Sequence, residues 1–264
     1  MMKWMWGDGA GKVNLARSLL LGSRNMGFSS SNQGIVAGAP VSRVHAPRFQ
    51  DFIRDWFQPQ FPVVIESAME NWKARSWTLD TLIKKFGQTT VHIELSRWHK
   101  EEKRWADFRD LYKDKALAPK EEIFIPQYPI LLEDFINIFL RDYEDQTAPV
   151  KGYLAQQQLL NDLPELAEGI EDPEYANIGS GIYQRNVWLG PAGTITPLHR
   201  DPYHNVLAQV DVDAKDAVQR WPDLQKAVYS ECILNAGEMI FIPKKWWHYV
   251  KSRDISLSIS FWSV

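Results

Sequence analysis

Three side chains in the last third of the sequence could together hold one metal ion. His199 and Asp201 stand two positions apart in Thr196-Pro-Leu-His199-Arg-Asp201-Pro-Tyr-His-Asn205, so on a strand both side chains leave the same face. His248, in Phe241-Ile-Pro-Lys-Lys-Trp-Trp-His248-Tyr, offers a third donor where a strand ends in a proline turn and aromatic residues can shield the site. Two histidines and one carboxylate on one face of an octahedron leave three open positions, the arrangement of non-haem iron(II) oxygenases. Two of these can hold a chelating 2-oxoacid and the third can hold dioxygen. A His-x-Asp pair with a distant histidine is common by chance, and His45, His92, His99 and His204 are read as ordinary core or surface residues. Context separates the candidates from these. Gly190-Pro-Ala-Gly-Thr-Ile-Thr-Pro-Leu precedes the first pair, and Asn235-Ala-Gly-Glu-Met-Ile-Phe-Ile-Pro precedes the last donor.

The elements that must position these donors are short apolar segments broken by Gly and Pro, at 183–189, 205–210, 231–234, 239–242 and 256–262. Evenly spaced short strands with turn signals predict a sandwich or barrel. Upstream, Phe49, Phe52, Ile53, Trp56 and Phe57 recur at helical spacing and predict a helix with one buried stripe. Residues 61–65 read as a short buried strand, and Thr78 caps a helix over 79–86 that Gly87 closes. Over 89–95, Val91, Ile93 and Leu95 alternate with His92 and Glu94, which predicts a strand with one wet face. A polar connecting stretch at 96–122 carries Trp98 and Trp105, and 130–143 resumes a helical pattern through Leu131, Phe135, Ile138 and Phe139.

At 264 residues and 45% hydrophobic content, the chain can fill one sizeable core, which predicts one folded domain, placed at 45–264. Thirty basic against 33 acidic residues give net −3, so no cationic field implies a nucleic-acid partner. Cys232 is the only cysteine, which excludes a disulfide framework and fits a reducing compartment, nucleus or cytoplasm. Any bound metal must therefore use nitrogen and oxygen ligands. No stretch approaches the roughly 20 apolar residues of a membrane span. From Gly9 to Gln50 there is no acidic residue, while Lys12, Arg17, Arg24, Arg43 and Arg48 recur. Residues 1–44 are expected to be a flexible leader dispensable for folding, with mitochondrial targeting as the alternative role.

These stretches resemble the JmjC-domain oxygenases, most closely the group of jumonji-domain-containing protein five, also called lysine-specific demethylase eight. The resemblance runs from about His45 to Val264 and is strongest in Gly152-Tyr-Leu-Ala-Gln156, 188–210 and 232–262. It implies a mainly β fold with helices packed outside, a double-stranded β-helix of the cupin-like jelly-roll kind. It places the metal ligands on His199, Asp201 and His248, and the 2-oxoglutarate contacts on Tyr153, Thr196 and Asn205. Trp188 and Trp262 match aromatic residues that line the same pocket. Hydroxyl and amide donors suit a dicarboxylate that leaves water. The resemblance further implies iron(II), 2-oxoglutarate and O2 as cofactor and co-substrates. It also implies a protein or peptide substrate, for instance a histone or another basic protein, that is hydroxylated on a side chain or demethylated at N-methyl-lysine.

One departure stands out. After Val210 the family pattern continues with Gly-x-Lys and further strands, whereas here Gln209-Val210 runs directly into Asp211-Val-Asp213. A double-stranded β-helix needs strands of about 5–6 residues there, yet 211–225 is charged, carries a proline and lacks alternation. Some interior strands are expected to be missing, among them the one whose lysine pairs with the distal carboxylate of 2-oxoglutarate. Ala214 stands at the corresponding count from His199, and Lys215 belongs to a different phrase. Two other classes therefore stay open. One is a binding or scaffold protein that keeps the jelly roll without turnover. The other is a cupin-type metal enzyme of another reaction class, which would draw on His204.

Overall fold

The structure, a computed structural model, describes residues 2–5, 39–99, 104–105, 126–141, 150–210 and 229–264. The first half holds β1 (Met2–Met5), β2 (Ala39–Pro40), β3 (Ser42–His45), helix α1 (Phe49–Phe52, widening to a π-helical turn over Ile53–Phe57), β4 (Val63–Glu66) and α2 (Leu79–Phe86). After these come β5 (Thr90–His99), β6 (Arg104–Trp105), β7 (Gln127–Leu131), α3 (Leu132–Ile136, continued by Asn137–Arg141), β8 (Val150–Gln157), α4 (Leu159–Asp162) and α5 (Pro164–Ala167). The second half is strands: β9 (Ile182–Gly190), β10 (Ile195–His199), β11 (His204–Val210), β12 (Tyr229–Cys232), β13 (Met239–Ile242), β14 (Trp247–Lys251) and β15 (Ser256–Ser263).

Successive strands from β9 to β15 alternate between two sheets. The larger sheet runs β3-β4-β13-β11-β15-β9-β8-β5-β6, with β7 added on β5, and the smaller runs β10-β14-β1-β12-β2. This alternation makes the jelly roll. Each strand's period of two sorts its side chains between the two sides of a sheet. On β15, Leu257, Ile259 and Phe261 are buried in the core, while Ser256, Ser258, Ser260 and Trp262 line the cavity that contains the candidate ligands.

Helices close the outer side of that core. The predicted stripe of α1 is present, with Phe52 fully buried against Phe241 and Tyr175 at ring-centroid distances of 5.1 and 5.2 Å. Replacing such a phenylalanine by alanine typically costs about 3–5 kcal/mol. Helix α2 has the predicted bounds: Thr78 and Thr81 form a reciprocal capping box, Gly87 is the C-cap, and Leu79, Leu82 and Phe86 face inward.

Several expectations change. Ordered chain begins before His45: Val41 is 4% exposed, its N–H donates to Glu231 O at 3.1 Å, and β3 pairs with β4. Met2–Met5 also forms part of the smaller sheet. Composition hides this, because a two- to four-residue strand has too few positions for a periodic signal. On β5, Leu95 is exposed and Glu94 lines the cavity, while His92 is exposed, so the side read as wet faces solvent at His92 and the cavity at Glu94. The helix expected over 130–143 starts at Leu132, since Ile130 and Leu131 pair with β5 instead. Most of 96–122 and all of 211–228 lie outside the described residues.

His204 is 3% exposed, packed at 5.0 Å from the Phe57 ring and 5.8 Å from Phe241, and its Nδ1 accepts from the Lys244 N–H at 3.2 Å. Burial, assisted by the Lys244 charge, pushes its pKa from 6.5 down to about 4. The unfolded chain therefore protonates first as pH falls. His204 leaves stability intact above about pH 6.5 and lowers it by roughly 3 kcal/mol as pH drops toward 4. Urea unfolding across that range should show a shallower fall in His204→Gln than in the parent, and equal slopes would reject the assignment.

Candidate metal centre

The three candidate ligands meet. Strand β10 ends at His199, and Asp201 lies just past it, where the Lys245 N–H donates to the Asp201 carbonyl at 2.7 Å. The pair therefore converges through a turn rather than through strand alternation. The register of β10 against β14 sets His199 opposite His248 after a break following Thr196, and the two rings lie 4.1 Å apart. His199 Nε2 is 3.9 Å from Asp201 Oδ1, and His248 Nε2 is 3.6 Å from Asp201 Oδ2. All three donor atoms lie within 4.8 Å of one another. Neighbouring donors on one octahedral ion, at bonds of about 2.0–2.2 Å, stand roughly 3 Å apart, so each imidazole–carboxylate pair needs to close by under about 1 Å.

Local hydrogen bonds aim the ligands. His199 Nδ1 donates to Pro197 O at 2.7 Å and His248 Nδ1 to Trp246 O at 3.0 Å. A carbonyl can only accept, so both protons sit on Nδ1 and both Nε2 lone pairs point toward Asp201. Burial, reinforced by His199, pushes the His248 pKa down to about 3 against the opposing pull of the Trp246 carbonyl. Its imidazole is thus neutral and needs to lose no proton before binding a cation. Burial raises Asp201 while the His199 charge lowers it, and a divalent ion would supply the missing compensation.

The trio forms part of the wall of a cavity of about 580 Å³, which also takes in Tyr153, Thr196, Asn205, Trp188 and Trp262. Every residue named for metal or 2-oxoglutarate binding therefore lines one cavity. Tyr153 packs 6.1 Å from Trp188 and hydrogen-bonds Thr196. Trp188 Nε1 donates to Ser260 Oγ at 3.0 Å. Asn205 and Trp262 face each other across β11 and β15, and Asn205 Oδ1 and Trp262 Nε1 are buried without a hydrogen-bond partner. Such orphans are costly unless a ligand satisfies them. The Trp262 indole N–H can donate to a carboxylate, whereas Asn205 Oδ1 only accepts and needs a hydroxyl or water as donor. With the Tyr153 and Thr196 hydroxyls beside three N/O donors, the site fits a carboxylate-bearing chelator, the implied co-substrate.

Sequence reasoning misses Glu94, Gln209, Ser258, Ser260, Lys251 and Arg253, which also line the cavity. The Ser256-Leu-Ser-Ile-Ser260 alternation is the available signal for two of them. Burial pushes the Glu94 carboxyl up to about 7. Trp246 and Trp247 are not among the residues lining the cavity. His204 stays apart from the ligand trio, which removes the basis for the cupin-type alternative.

Gly190 makes room for the site. A Cβ there would lie 2.8 Å from both Thr194 Oγ1 and Tyr153 Cδ2. The Tyr153 ring packs beside Trp188 and lines the cavity, so the space it can yield into is the site itself. Gly190→Ala should therefore displace Tyr153 and weaken 2-oxoglutarate binding about tenfold, the effect of losing about one charge-assisted hydrogen bond. Unchanged calorimetric affinity would contradict this packing argument.

The chain matches the cupin-like domain family over residues 49–211 and 207–263 and belongs to that family, in its JmjC branch. It is 31% identical to Lysine-specific demethylase 8 of Xenopus tropicalis over 257 residues, 84% of this chain and 52% of that protein. Identity to Lysine-specific demethylase 8 of Danio rerio is 32%, covering 84% of this chain and 58% of the relative. The human Bifunctional peptidase and (3S)-lysyl hydroxylase JMJD7 is 24% identical over 80% of this chain and 79% of its own length. The chain thus spans little more than half the length of the two demethylases. The family match falls in two stretches that overlap at 207–211, the place where the sequence pattern breaks.

Proposed function

We propose that this chain is an iron(II)- and 2-oxoglutarate-dependent oxygenase that modifies a protein side chain, by hydroxylation or by N-demethylation of lysine. The observation that carries the reading is the convergence of His199, Asp201 and His248 on a cavity that is also lined by Trp262, whose indole N–H is unsatisfied, and by the Tyr153 and Thr196 hydroxyls. When bound, iron(II) and 2-oxoglutarate supply the oxidation: dioxygen is consumed, 2-oxoglutarate leaves as succinate and carbon dioxide, and one oxygen atom enters a target C–H bond. His199, Asp201 and His248 hold the metal on one side and leave its other positions facing the cavity. Burial holds the Tyr153 phenol above its ordinary pKa, so it remains a hydroxyl donor for a carboxylate at neutral pH. Trp188 and Trp262 exclude water from the reacting region.

The names of the relatives support a protein substrate and both chemistries, demethylase and lysyl hydroxylase. A second reading, a scaffold without turnover, is favoured by the break at 207–211. Among the described residues, the lysine and arginine side chains lining the cavity are Lys251 and Arg253, and neither belongs to the Gly-x-Lys phrase. Anaerobic addition of iron(II) and 2-oxoglutarate to the purified chain should produce the weak metal-to-ligand charge-transfer band. Admission of air should then convert 2-oxoglutarate to succinate. Release of formaldehyde from a methyl-lysine peptide identifies demethylation, whereas a stable oxygen-atom mass gain identifies hydroxylation. Absence of both the band and succinate selects the scaffold.

A further inference from the structure

The smaller sheet contains a strand from far away in the sequence. Met2–Met5 lies between β12 and β14 and is antiparallel to both. Its register sets Met2 opposite Cys232 on one side and Val250 on the other, and Trp4 opposite Ser230 and His248. Since β12 and β14 are each antiparallel to β1, they run parallel to one another. The strand pairs within β9–β15 are all antiparallel, so a direct β12–β14 ladder would break the pattern. Without β1 the two strands would stand about 9–10 Å apart, two ladder widths, each with a row of unsatisfied backbone groups. This is a slot for one extended segment.

The slot coincides with the break in the chain. Strand β11 ends at Val210 in the larger sheet, and the next described strand is β12 in the smaller one. No strand from the described part of the β9–β15 region fills the place between β12 and β14. We infer that Met2–Met5 is a substitute strand, that the slot between β12 and β14 is a strand-accepting site, and that its occupant steadies the strand carrying His248. Strand addition of this kind draws its affinity from main-chain hydrogen bonds, so it tolerates a sequence unrelated to the original strand. It also answers the unpaired edge that a missing interior strand would leave.

Because Cys232 is the chain's one cysteine, cross-linking tests the register directly. Directly opposed residues of an antiparallel pair have Cα atoms about 4.5–5.5 Å apart, within the range a disulfide spans. Met2→Cys, oxidised with diamide, should form an intramolecular disulfide from the introduced thiol to Cys232, read as the loss of two hydrogen masses and mapped by peptide digestion. Lys3→Cys lies opposite Glu231 and should form little of it. A second arm replaces Cys232 by Ser and joins Met2→Cys to Val250→Cys, which tests the other side of the slot. Equal cross-linking in the register and off-register variants, or none in either arm, overturns the inference, and a disulfide-linked dimer means that another copy donates the strand. Trp4→Pro removes a ladder N–H opposite His248 and should weaken iron(II) binding about tenfold, the scale of losing a metal ligand's support. Iron binding that stays unchanged in Trp4→Pro overturns the steadying role. The cross-links form whether or not the chain is an oxygenase, so their failure is distinct from failure of that reading.

Discussion

Alanine at His248 abolishes stoichiometric iron(II) binding, and alanine at His199 or Asp201 does the same: this is the largest effect expected of any substitution here. Losing a supporting group outside the ligand set already costs roughly 10- to 100-fold in metal affinity, and losing a ligand from a set of three removes both a bond and the facial geometry. The fold should survive in each case. His199 and Asp201 are only partly buried. His248 is 3% exposed, but its imidazole is neutral, so alanine there removes volume rather than a compensated charge. Iron measured by elemental analysis after anaerobic loading, beside a thermal melt, separates the two. Undiminished iron in any of the three variants rejects the ligand assignment.

Weak binding of 2-oxoglutarate is the second large effect. The distal carboxylate loses the lysine that the family pattern supplies after the Val210 position, and a buried charge without its partner typically costs about 3–5 kcal/mol. That is roughly a hundredfold to several-thousandfold in dissociation constant. Inserting a Gly-x-Lys strand segment between Val210 and Asp211 should recover most of it, as measured by calorimetry on the metal-loaded protein. The inserted strand would compete with Met2–Met5 for the slot between β12 and β14, so the comparison needs a variant lacking residues 2–5 as well. Equal affinity in the chain as given and in the insertion variant would show that Lys251, Arg253 or another cation already pairs the carboxylate.

The legible parts of this chain are those where one residue type has one physical reason to be present. Thr78 and Gly87 bound α2 because a cap needs an acceptor side chain and a helix end tolerates glycine, and the segment at 239–242 is a strand because four consecutive apolar residues are buried there. The candidate ligands are legible for the same reason, since few other arrangements need His199, Asp201 and His248 in those contexts. Glu94 escapes because alternation reports two sides of a strand without saying which opens on solvent and which on a cavity. The turn at Asp201 passes for strand because a spacing of two fits both. The role of Met2–Met5 is invisible, since long-range backbone pairing leaves no trace in the composition of four residues.

Two imidazoles and a carboxylate, each fixed by its neighbours, offer nothing soft to a metal and little that discriminates among borderline divalent ions. For such a nitrogen and oxygen set, affinity rises from manganese through iron, cobalt and nickel to copper, with zinc also above iron. Because both histidines are locked in one tautomer by Pro197 and Trp246, the site is ready for whichever of these arrives. Under the proposed function, iron(II) would have to be delivered by supply rather than chosen by affinity. Zinc or nickel, including nickel shed from an affinity column, should act as a tight competitive poison that excess iron(II) reverses only slowly.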